Sequence, residues 1–348
     1  MRTIKGLSGV VCFLASLCAC SIAISSESIM NNPIVSKTRP WCIGRFVFQR
    51  PASSAITNAA YGYRSHALVT TEHITAEDFH DQVATREREL QTKQRVDLAD
   101  FKRETGLPWL VEAYSPTPES RVFLYRMTTT DSVAMPYKSD GYAYLDGALL
   151  RTTGSIGQMG LDKAENIYKD MFRRFKARDN WDVPREAGFC VDSGLITGEA
   201  EYPEDVSQSF ALLPGRPALL LIKMRDAVPQ DQGHPLTKNM SDLRAQLNRM
   251  PGRYQILRQG KRQVAGMDAE EVLFKLRDGD VTVFRFYLLA PGDPSTLARP
   301  HTSIQMHLGA PPRATLPPEQ ATSPVDEAGA LQTWDTLLDS LKLRPGAI

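Results

Sequence analysis

The segment WCIGRFVF at residues 41–48 is apolar, and Pro51 follows it closely. A run of this length with aromatic and β-branched residues predicts a buried β-strand. A second segment of the same kind, GFCVDSGLITG, occupies residues 188–198. Each contains one cysteine, and we expect each segment to open one half of the fold.

The same order of predicted elements follows both segments. In the first half, strands precede a charged helix at residues 76–103, and strands return before a helix at residues 162–177 with apolar residues on one face. In the second half, strands precede a short helix at residues 236–249, and the closing helix has an apolar face that begins at Val325. This repetition predicts an α+β protein with two domains of similar plan, each an antiparallel β-sheet with helices packed on one face.

The connecting stretches predict where the domains begin and end. The helix that closes the first half must stop before Pro184, because the residue before a proline avoids the helical conformation. We therefore expect an amino-terminal domain at residues 39–183 and a carboxy-terminal domain at residues 184–348. Residues 1–19 are predicted to be a signal peptide, and residues 20–38 a flexible tether.

The amino terminus has the features of a bacterial lipoprotein signal. Arg2 and Lys5 precede an apolar run that ends at LCAC, residues 17–20, and this run is too short to span a bilayer. A small residue before a cysteine predicts cleavage there and a diacylglyceryl group on Cys20; plain secretion and an uncleaved anchor are the alternatives. Because Ser21 rather than aspartate follows, resemblance to other lipoproteins implies periplasmic anchoring to the outer membrane of a Gram-negative bacterium.

Composition and charge indicate a folded protein without a nucleic-acid partner. The chain has 41 lysines and arginines against 40 acids, and 42% of its residues are hydrophobic. It shows neither the charge excess nor the loss of apolar residues that is typical of disorder. A protein that binds nucleic acid through phosphates would carry a basic excess. We therefore expect no nucleic-acid partner, and the lipid on Cys20 is the only membrane contact that we predict.

Cysteine usage agrees with export. Cys12 and Cys18 fall within the signal and Cys20 at its end, so Cys42 and Cys190 remain in the mature chain. In an oxidising periplasm these two are expected to form a disulfide. Two buried free thiols are the alternative.

Motifs of catalysis or metal binding do not stand out in the mature chain. It lacks the Gly-x-Ser-x-Gly and His-Glu-x-x-His patterns. Three histidines recur every seven residues from His66, but this interval does not itself make a metal site. Glu204 and Asp205 precede a strand predicted at residues 207–213, in a polar stretch where carboxylates are usually hydrated. We expect no catalytic residue, no cofactor and no metal.

A segment rich in tyrosine and methionine is a candidate for contact with a partner. AMPYKSDGYAY, residues 134–144, contains Met135, Tyr137, Tyr142 and Tyr144. Tyrosine and methionine are common at protein interfaces, where they present large apolar surfaces. The alternative is that Tyr142 and Tyr144 form one side of an ordinary strand.

Three motifs occur in order along almost the whole mature chain. They are WCIGRF at residues 41–46, AGFCVDSGLITG at residues 187–198, and the pair Trp334-Asp335 followed by SLKLRPG at residues 340–346. Together they resemble the immunity proteins that neutralise the fourth class of phospholipase effectors of type VI secretion systems. The resemblance implies two domains that grip a lipase effector like the jaws of a clamp, blocking its substrate access and its opening movement.

The resemblance implies a periplasmic protein that inhibits one cognate phospholipase and so protects the cell from self and sibling intoxication. Such an antidote needs export and oxidative stability, and inhibition by occlusion needs no catalytic residue. We expect an interface of about 2,000 Å² or more in total. Two other classes stay open: an envelope-assembly or adaptor lipoprotein that binds another protein or a glycan, and a periplasmic hydrolase in which Ser193 meets a histidine.

Overall fold

The computed structural model describes most of the chain beyond the predicted signal, in these ranges: 32–100, 102–129, 135–233, 235–238, 245, 252–310 and 315–348. The predicted signal peptide, Cys20 and most of the predicted tether lie outside the described residues. So does most of the helix predicted at residues 236–249. Among the helices that are described, none has the length and apolar character needed to cross a bilayer.

The amino-terminal half contains eleven of the described strands and two of the described helices. The strands are β1 (Thr38–Ile43), β2 (Phe46–Pro51), β3 (Ala55–Tyr63), β4 (His66–Glu72), β5 (Gln94–Asp97), β6 (Arg103–Pro108), β7 (Leu110–Tyr114), β8 (Ser120–Tyr125), β9 (Tyr137–Leu145), β10 (Ala148–Ile156) and β11 (Phe175–Ala177). The helices are α1 (Ala76–Thr92) and α2 (Leu161–Arg174).

The carboxy-terminal half continues with strands and two further helices. The strands are β12 (Gly188–Val191), β13 (Gly194–Thr197), β14 (Glu204–Ala211), β15 (Ala218–Arg225), β16 (Tyr254–Val264), β17 (Met267–Asp278), β18 (Val281–Ala290), β19 (His301–Leu308) and β20 (Lys342–Leu343). The helices are α3 (Pro318–Ala321) and α4 (Glu327–Ser340).

Both halves contribute to one twelve-stranded sheet, whose order is β16-β17-β18-β19-β15-β14-β3-β4-β10-β9-β8-β7. Every pairing in it is antiparallel, which confirms the α+β class with antiparallel sheets. The halves meet where β3 pairs with β14 and Ala60 lies opposite Ser207. This pairing satisfies backbone groups that two separate sheets would expose at their edges. The domain boundary at residues 183 and 184 stays a prediction.

The main core lies on one side of this sheet, which we call the inner face. Alternate strand residues such as Leu150, Phe210 and Ile304 point into it. Helix α2 adds Tyr168, and α4 adds Trp334, both fully buried. Two three-stranded sheets, β1-β2-β20 and β11-β13-β12, also contribute residues to this core. The predicted packing of helices on one face therefore holds for α2 and α4.

Helix α1 departs from that prediction because it packs on the opposite, outer face. Its Phe79 and Leu90 form a second core with Tyr142 and Leu149. In β10, Leu149 and Leu150 are consecutive and both fully buried, so they need cover on both sides of the sheet. Two apolar neighbours on a strand explain why the amino-terminal half has helices on both faces.

The charged helix predicted at residues 76–103 is shorter in the structure. It begins with a capping box at Thr75 and ends at Thr92, and β5 and β6 follow it. The backbone of Val96 hydrogen-bonds with that of Met127 and Thr129, which ties this stretch to the chain after β8. Tertiary pairing overrides the helical propensity of the charged residues beyond Thr92.

A disulfide between Cys42 and Cys190 joins the two halves across a sequence separation of 148 residues. Beside it, the amide of Gly44 donates to the carbonyl oxygen of Cys190, and the amide of Cys190 donates to that of Gly44. Gly44 has φ = +56°, and a Cβ there would lie 3.1 Å from Val206. The predicted disulfide is thus present. It lies in a tightly packed region around Gly44 where the two halves meet, which we call the junction.

Two buried arginines complete this junction. Arg45 forms a salt bridge of 2.6 Å with Glu204, and it also donates to the carbonyl oxygens of Gly198 and Ala347. Glu204 is therefore the buried first residue of β14, which corrects its prediction as a hydrated loop carboxylate. Burial raises its pKa, and the hydrogen bonds from Arg45 oppose that rise.

Arg344, from the last of the three motifs, is buried and donates to three carbonyl oxygens. They belong to Pro184, Glu186 and Gly188, at the start of the second half. Burial lowers the pKa of Arg344 to about 10. The motifs that carry the resemblance thus supply residues that hold the chain together.

Candidate partner-binding face

The outer face of the sheet is partly exposed along five central strands. On β14, Val206, Gln208 and Phe210 are buried on the inner side, and the residues between them point outward. The same alternation continues on β15 and β19. We call the outward side of β4, β3, β14, β15 and β19 the central face.

Small side chains form the floor of this face at its middle. Ser207 lies opposite Ala60 on one neighbouring strand and opposite Lys223 on the other. Lys223 in turn lies opposite Ser303 on β19. Because three of these four side chains are small, the row forms a shallow trough across the join between the halves.

Apolar packing covers the two ends of the outer face but not its centre. Helix α1 covers the end formed by β7, β8 and β9. At the other end Val272 and Phe274 pack with Leu236. Between them the side chains of Val69, Asp205 and Lys223 are exposed, Val69 by 59%. The covers therefore form the walls of a broad recess.

A cavity of about 410 Å³ lies in this recess. It is lined by small residues and charged groups: Ala60, Gly62, Ser207, Ser303, Asp205, Lys223, Arg225 and His301 are among them. A second cavity of about 250 Å³ contains Asp231 and Lys261. Tyr61, Val206 and Met224 also line the larger cavity, so a mainly apolar surface carries a few charged groups, which suits contact with a protein partner.

One end of the larger cavity is fixed by an ion-pair cluster. Arg225 donates to both carboxylate oxygens of Asp231 at 2.7 and 2.9 Å. These bonds lower the pKa of Asp231 to about 2. His301 Nδ1 lies 3.5 Å from the same carboxylate, but burial, with the charge of Arg225, lowers the pKa of His301. Arg225 is therefore held mainly by Asp231, and it also interacts electrostatically with Asp205.

Two other charged side chains of the cavity are exposed to solvent. Asp205 and Lys223 are both exposed, and neither forms a hydrogen bond or ion pair with another residue of the described ranges. Partial burial raises the pKa of Asp205, and the like charge of Asp226 raises it further, while the charge of Arg225 opposes the rise. These two side chains are available to a partner.

The aromatic segment predicted to bind a partner is mostly internal. Tyr142 packs against Phe123 with ring centroids 6.1 Å apart, beneath α1, and Tyr144 is stacked on Phe79. Tyr137 is buried and donates through its hydroxyl to Gln158.

Met135 alone among the four predicted contact residues has a largely open side chain, 47% exposed. The structure thus does not bring these four side chains together on one surface. The alternative interpretation, in which the tyrosines belong to an ordinary strand, describes Tyr142 and Tyr144.

The residue suggested for a hydrolase has a different environment. Ser193 lies in the turn between β12 and β13, where its hydroxyl accepts a hydrogen bond of 3.1 Å from Asn180 Nδ2. Its amide donates to Asn180 Oδ1. An amide partner does not activate a serine nucleophile, so this contact is structural. Within the described ranges, no group of three or more candidate ligands is placed to hold a metal.

Sequence reasoning missed Asp205 and Lys223 as site residues. The sequence predicts strand β14 only from residue 207, which places Asp205 in the preceding loop. The apolar run of residues 218–222 hides the alternation that puts Lys223 outward. The useful signal in EDVSQSFA at residues 204–211 is the spacing of Val206 and Phe210, two even positions that mark the inner side and leave Asp205 on the outward side.

We interpret the exposed sheet face, with its cavity and its charged residues, as the surface of a protein-binding module. Two family models together cover most of the chain: the amino-terminal domain of Tle cognate immunity protein 4 matches residues 39–178, and the carboxy-terminal domain matches residues 182–346. The chain belongs to the Tle cognate immunity protein 4 family.

Solved structures share this fold. The apo structure of immunity protein TplEi of the type VI secretion system of Pseudomonas aeruginosa is 20% identical, with 88% of this chain and 97% of that chain covered and a TM-score of 0.74. The Tle4–Tli4 complex gives 20% identity, coverage of 89% and 98%, and a TM-score of 0.74. At this identity the likeness shows the fold. The search of curated proteins gave no match.

Proposed function

We propose that this chain is a periplasmic immunity protein that binds a phospholipase effector of type VI secretion and inhibits it by occlusion. Membership of the Tle cognate immunity protein 4 family, over both domains, carries this proposal. The complex of Tle4 with Tli4, which has this fold, supports an assembly between effector and antidote. The effector is the partner for which we propose the central face.

The architecture supports inhibition by a preformed surface. The disulfide, the Arg45–Glu204 pair and the continuous sheet fix the two halves to each other. Binding by a preorganised surface avoids much of the entropic cost of ordering loops on association. A recess with covered ends can enclose part of a partner, and enclosure blocks access to an active site without chemistry.

The proposed location follows from the same needs. A disulfide between the halves is stable in an oxidising compartment, where an effector that attacks envelope phospholipid would act. A diacylglyceryl group on Cys20 would hold the protein at the outer membrane. Its lipidation is tested by mass spectrometry of the purified membrane form, compared with a Cys20→Ala variant.

The function is tested with the mature chain from Ser21 onward and the lipase-like protein encoded beside its gene. We expect co-purification of the two proteins and loss of phospholipase activity when they are mixed. A lipase effector of a different class serves as the control and should keep its activity. If the neighbouring lipase neither binds nor loses activity, the proposed function is wrong for that pair.

A further inference from the structure

The two unpaired charges of the central face are close together and opposite in sign. Lys223 lies opposite Ser207, and Asp205 is two residues before Ser207 on the same strand and the same side. Diagonal neighbours of this kind have Cα atoms about 7–8 Å apart, which leaves room for a partner's groups between the side chains.

Neighbouring groups offset the charge of Asp205 only in part, because Arg225 interacts with it electrostatically but forms no hydrogen bond with it. The nearest cation across the strands, Arg225, holds Asp231 with two hydrogen bonds. On the other side Asp226 is a like charge, and its carboxylate accepts a hydrogen bond from the amide of Glu204. Covering Asp205 with a protein partner would be costly unless that partner supplies a cation.

The surroundings of Asp205 also suit a basic side chain. Tyr202, three residues before Asp205 in the chain, is 51% exposed. The face of an exposed tyrosine ring attracts a guanidinium or ammonium group. The trough beside Asp205 has Ala60 and Ser207 in its floor, so a long side chain can enter it.

We propose that Asp205 and Lys223 determine specificity, by docking an effector segment that carries a basic residue against Asp205 and an acidic residue against Lys223. This inference rests on the proposed function, because it assigns the partner of the same face. Charge complementarity at such a pair selects one partner and rejects those with the wrong sign.

The test measures the dissociation constant for the cognate effector after charge reversal. Asp205→Lys and Lys223→Glu should each raise it about 10- to 100-fold. Asp205→Asn, which keeps the side-chain shape, should raise it about 3- to 10-fold. Asp280→Lys is the matched control, because Asp280 is exposed in the β17–β18 turn and the change in charge is the same. Thermal unfolding of every variant verifies that it is folded.

Rescue makes the test specific. Among effector variants in which single basic surface residues are changed to glutamate, at least one should restore binding to Asp205→Lys. If wild type binds tightly while Asp205→Lys, Asp205→Asn and Lys223→Glu all behave like Asp280→Lys, the inference is wrong and the proposed function stands. If wild type itself does not bind the effector, both are wrong.

Discussion

Glu204 and Asp205 are neighbours on β14, yet they belong to two opposite regions of the molecule. Glu204 points into the junction, where Arg45 pairs with it and the disulfide lies close by. Asp205 points onto the central face, where its interaction with Arg225 is electrostatic and no hydrogen bond or salt bridge holds it within the described ranges. The alternation of one strand thus separates a charge that stabilises the fold from one that is left for a partner.

Residues of the junction stabilise the fold, and residues of the central face are proposed to bind the partner. Mutations in the two regions should therefore have different effects. Changes at the junction should lower the free energy of unfolding, because partners are lost in a buried environment. Changes on the central face should leave unfolding nearly unchanged and alter binding. If a junction variant altered only binding, or a central-face variant strongly lowered stability, this division of roles would be wrong.

The largest effect on stability is expected from Arg45→Met. The substitution keeps much of the side-chain volume but leaves Glu204 buried and unpaired, which should lower the free energy of unfolding by about 3–5 kcal/mol. Urea unfolding measures this change. Asp205→Ala is the control from the other region and should change stability by about 0.5 kcal/mol or less. Equal losses from the two variants would show that β14 does not divide the molecule in this way.

The disulfide should contribute slightly less to the free energy of unfolding than the Arg45–Glu204 pair. Replacing Cys42 and Cys190 together by alanine should cost about 2–5 kcal/mol, because the bond closes a long loop in the unfolded chain. The urea midpoint of this variant should not respond to reducing agent, whereas wild type should lose stability on reduction. An unchanged midpoint for reduced wild type would disprove the structural role.

Gly44→Ala tests how tightly the junction is packed. It combines a left-handed backbone conformation with Cβ contacts of 3.1 and 3.2 Å to Val206 and Phe189, so a loss of about 2–3 kcal/mol is expected. Gly279→Ala is a matched control, since Gly279 has φ = +58° and no atom within 4 Å of its Cβ position. It should lose only about 1 kcal/mol. Similar losses would indicate a loosely packed junction.

The smallest effect concerns the pH dependence of effector binding. The pKa of Asp205 is raised in the free chain, by burial and by Asp226. A basic partner group would lower it in the complex, so affinity should be full above the free-state pKa and fall as the pH drops through it. Calorimetric titrations from neutral pH downward measure this. The affinity of Asp205→Asn should not show this loss at low pH. If wild type and Asp205→Asn had the same pH dependence of affinity, the contact assigned to Asp205 would be wrong.

The sequence predicts the local elements of the junction better than the assembly of the sheet. The apolar segments around Cys42 and Cys190, helix α2 and the closing helix follow from periodicity and cysteine usage. The pairing of β3 with β14 joins distant segments, and neither strand's own pattern reveals which partner it takes. Local sequence patterns therefore could not predict that one sheet runs through both halves.

The central face was harder to predict because its residues are ordinary by type. Tyr142 looked like an interface residue, but α1 covers it, and that cover is a tertiary contact. Asp205 looked like a hydrated carboxylate, and only the start of β14 at Glu204 places it beside Lys223 on one surface. Recognition sites made of scattered charges become visible only when register is known.

The most direct test of the account is a titration of the cognate effector's phospholipase activity with the mature chain. Activity should fall to background at a fixed molar ratio for wild type and for Asp280→Lys. Asp205→Lys should need about 10- to 100-fold more protein for the same inhibition when the effector is dilute. Full activity in a large molar excess of folded wild-type protein would contradict the account.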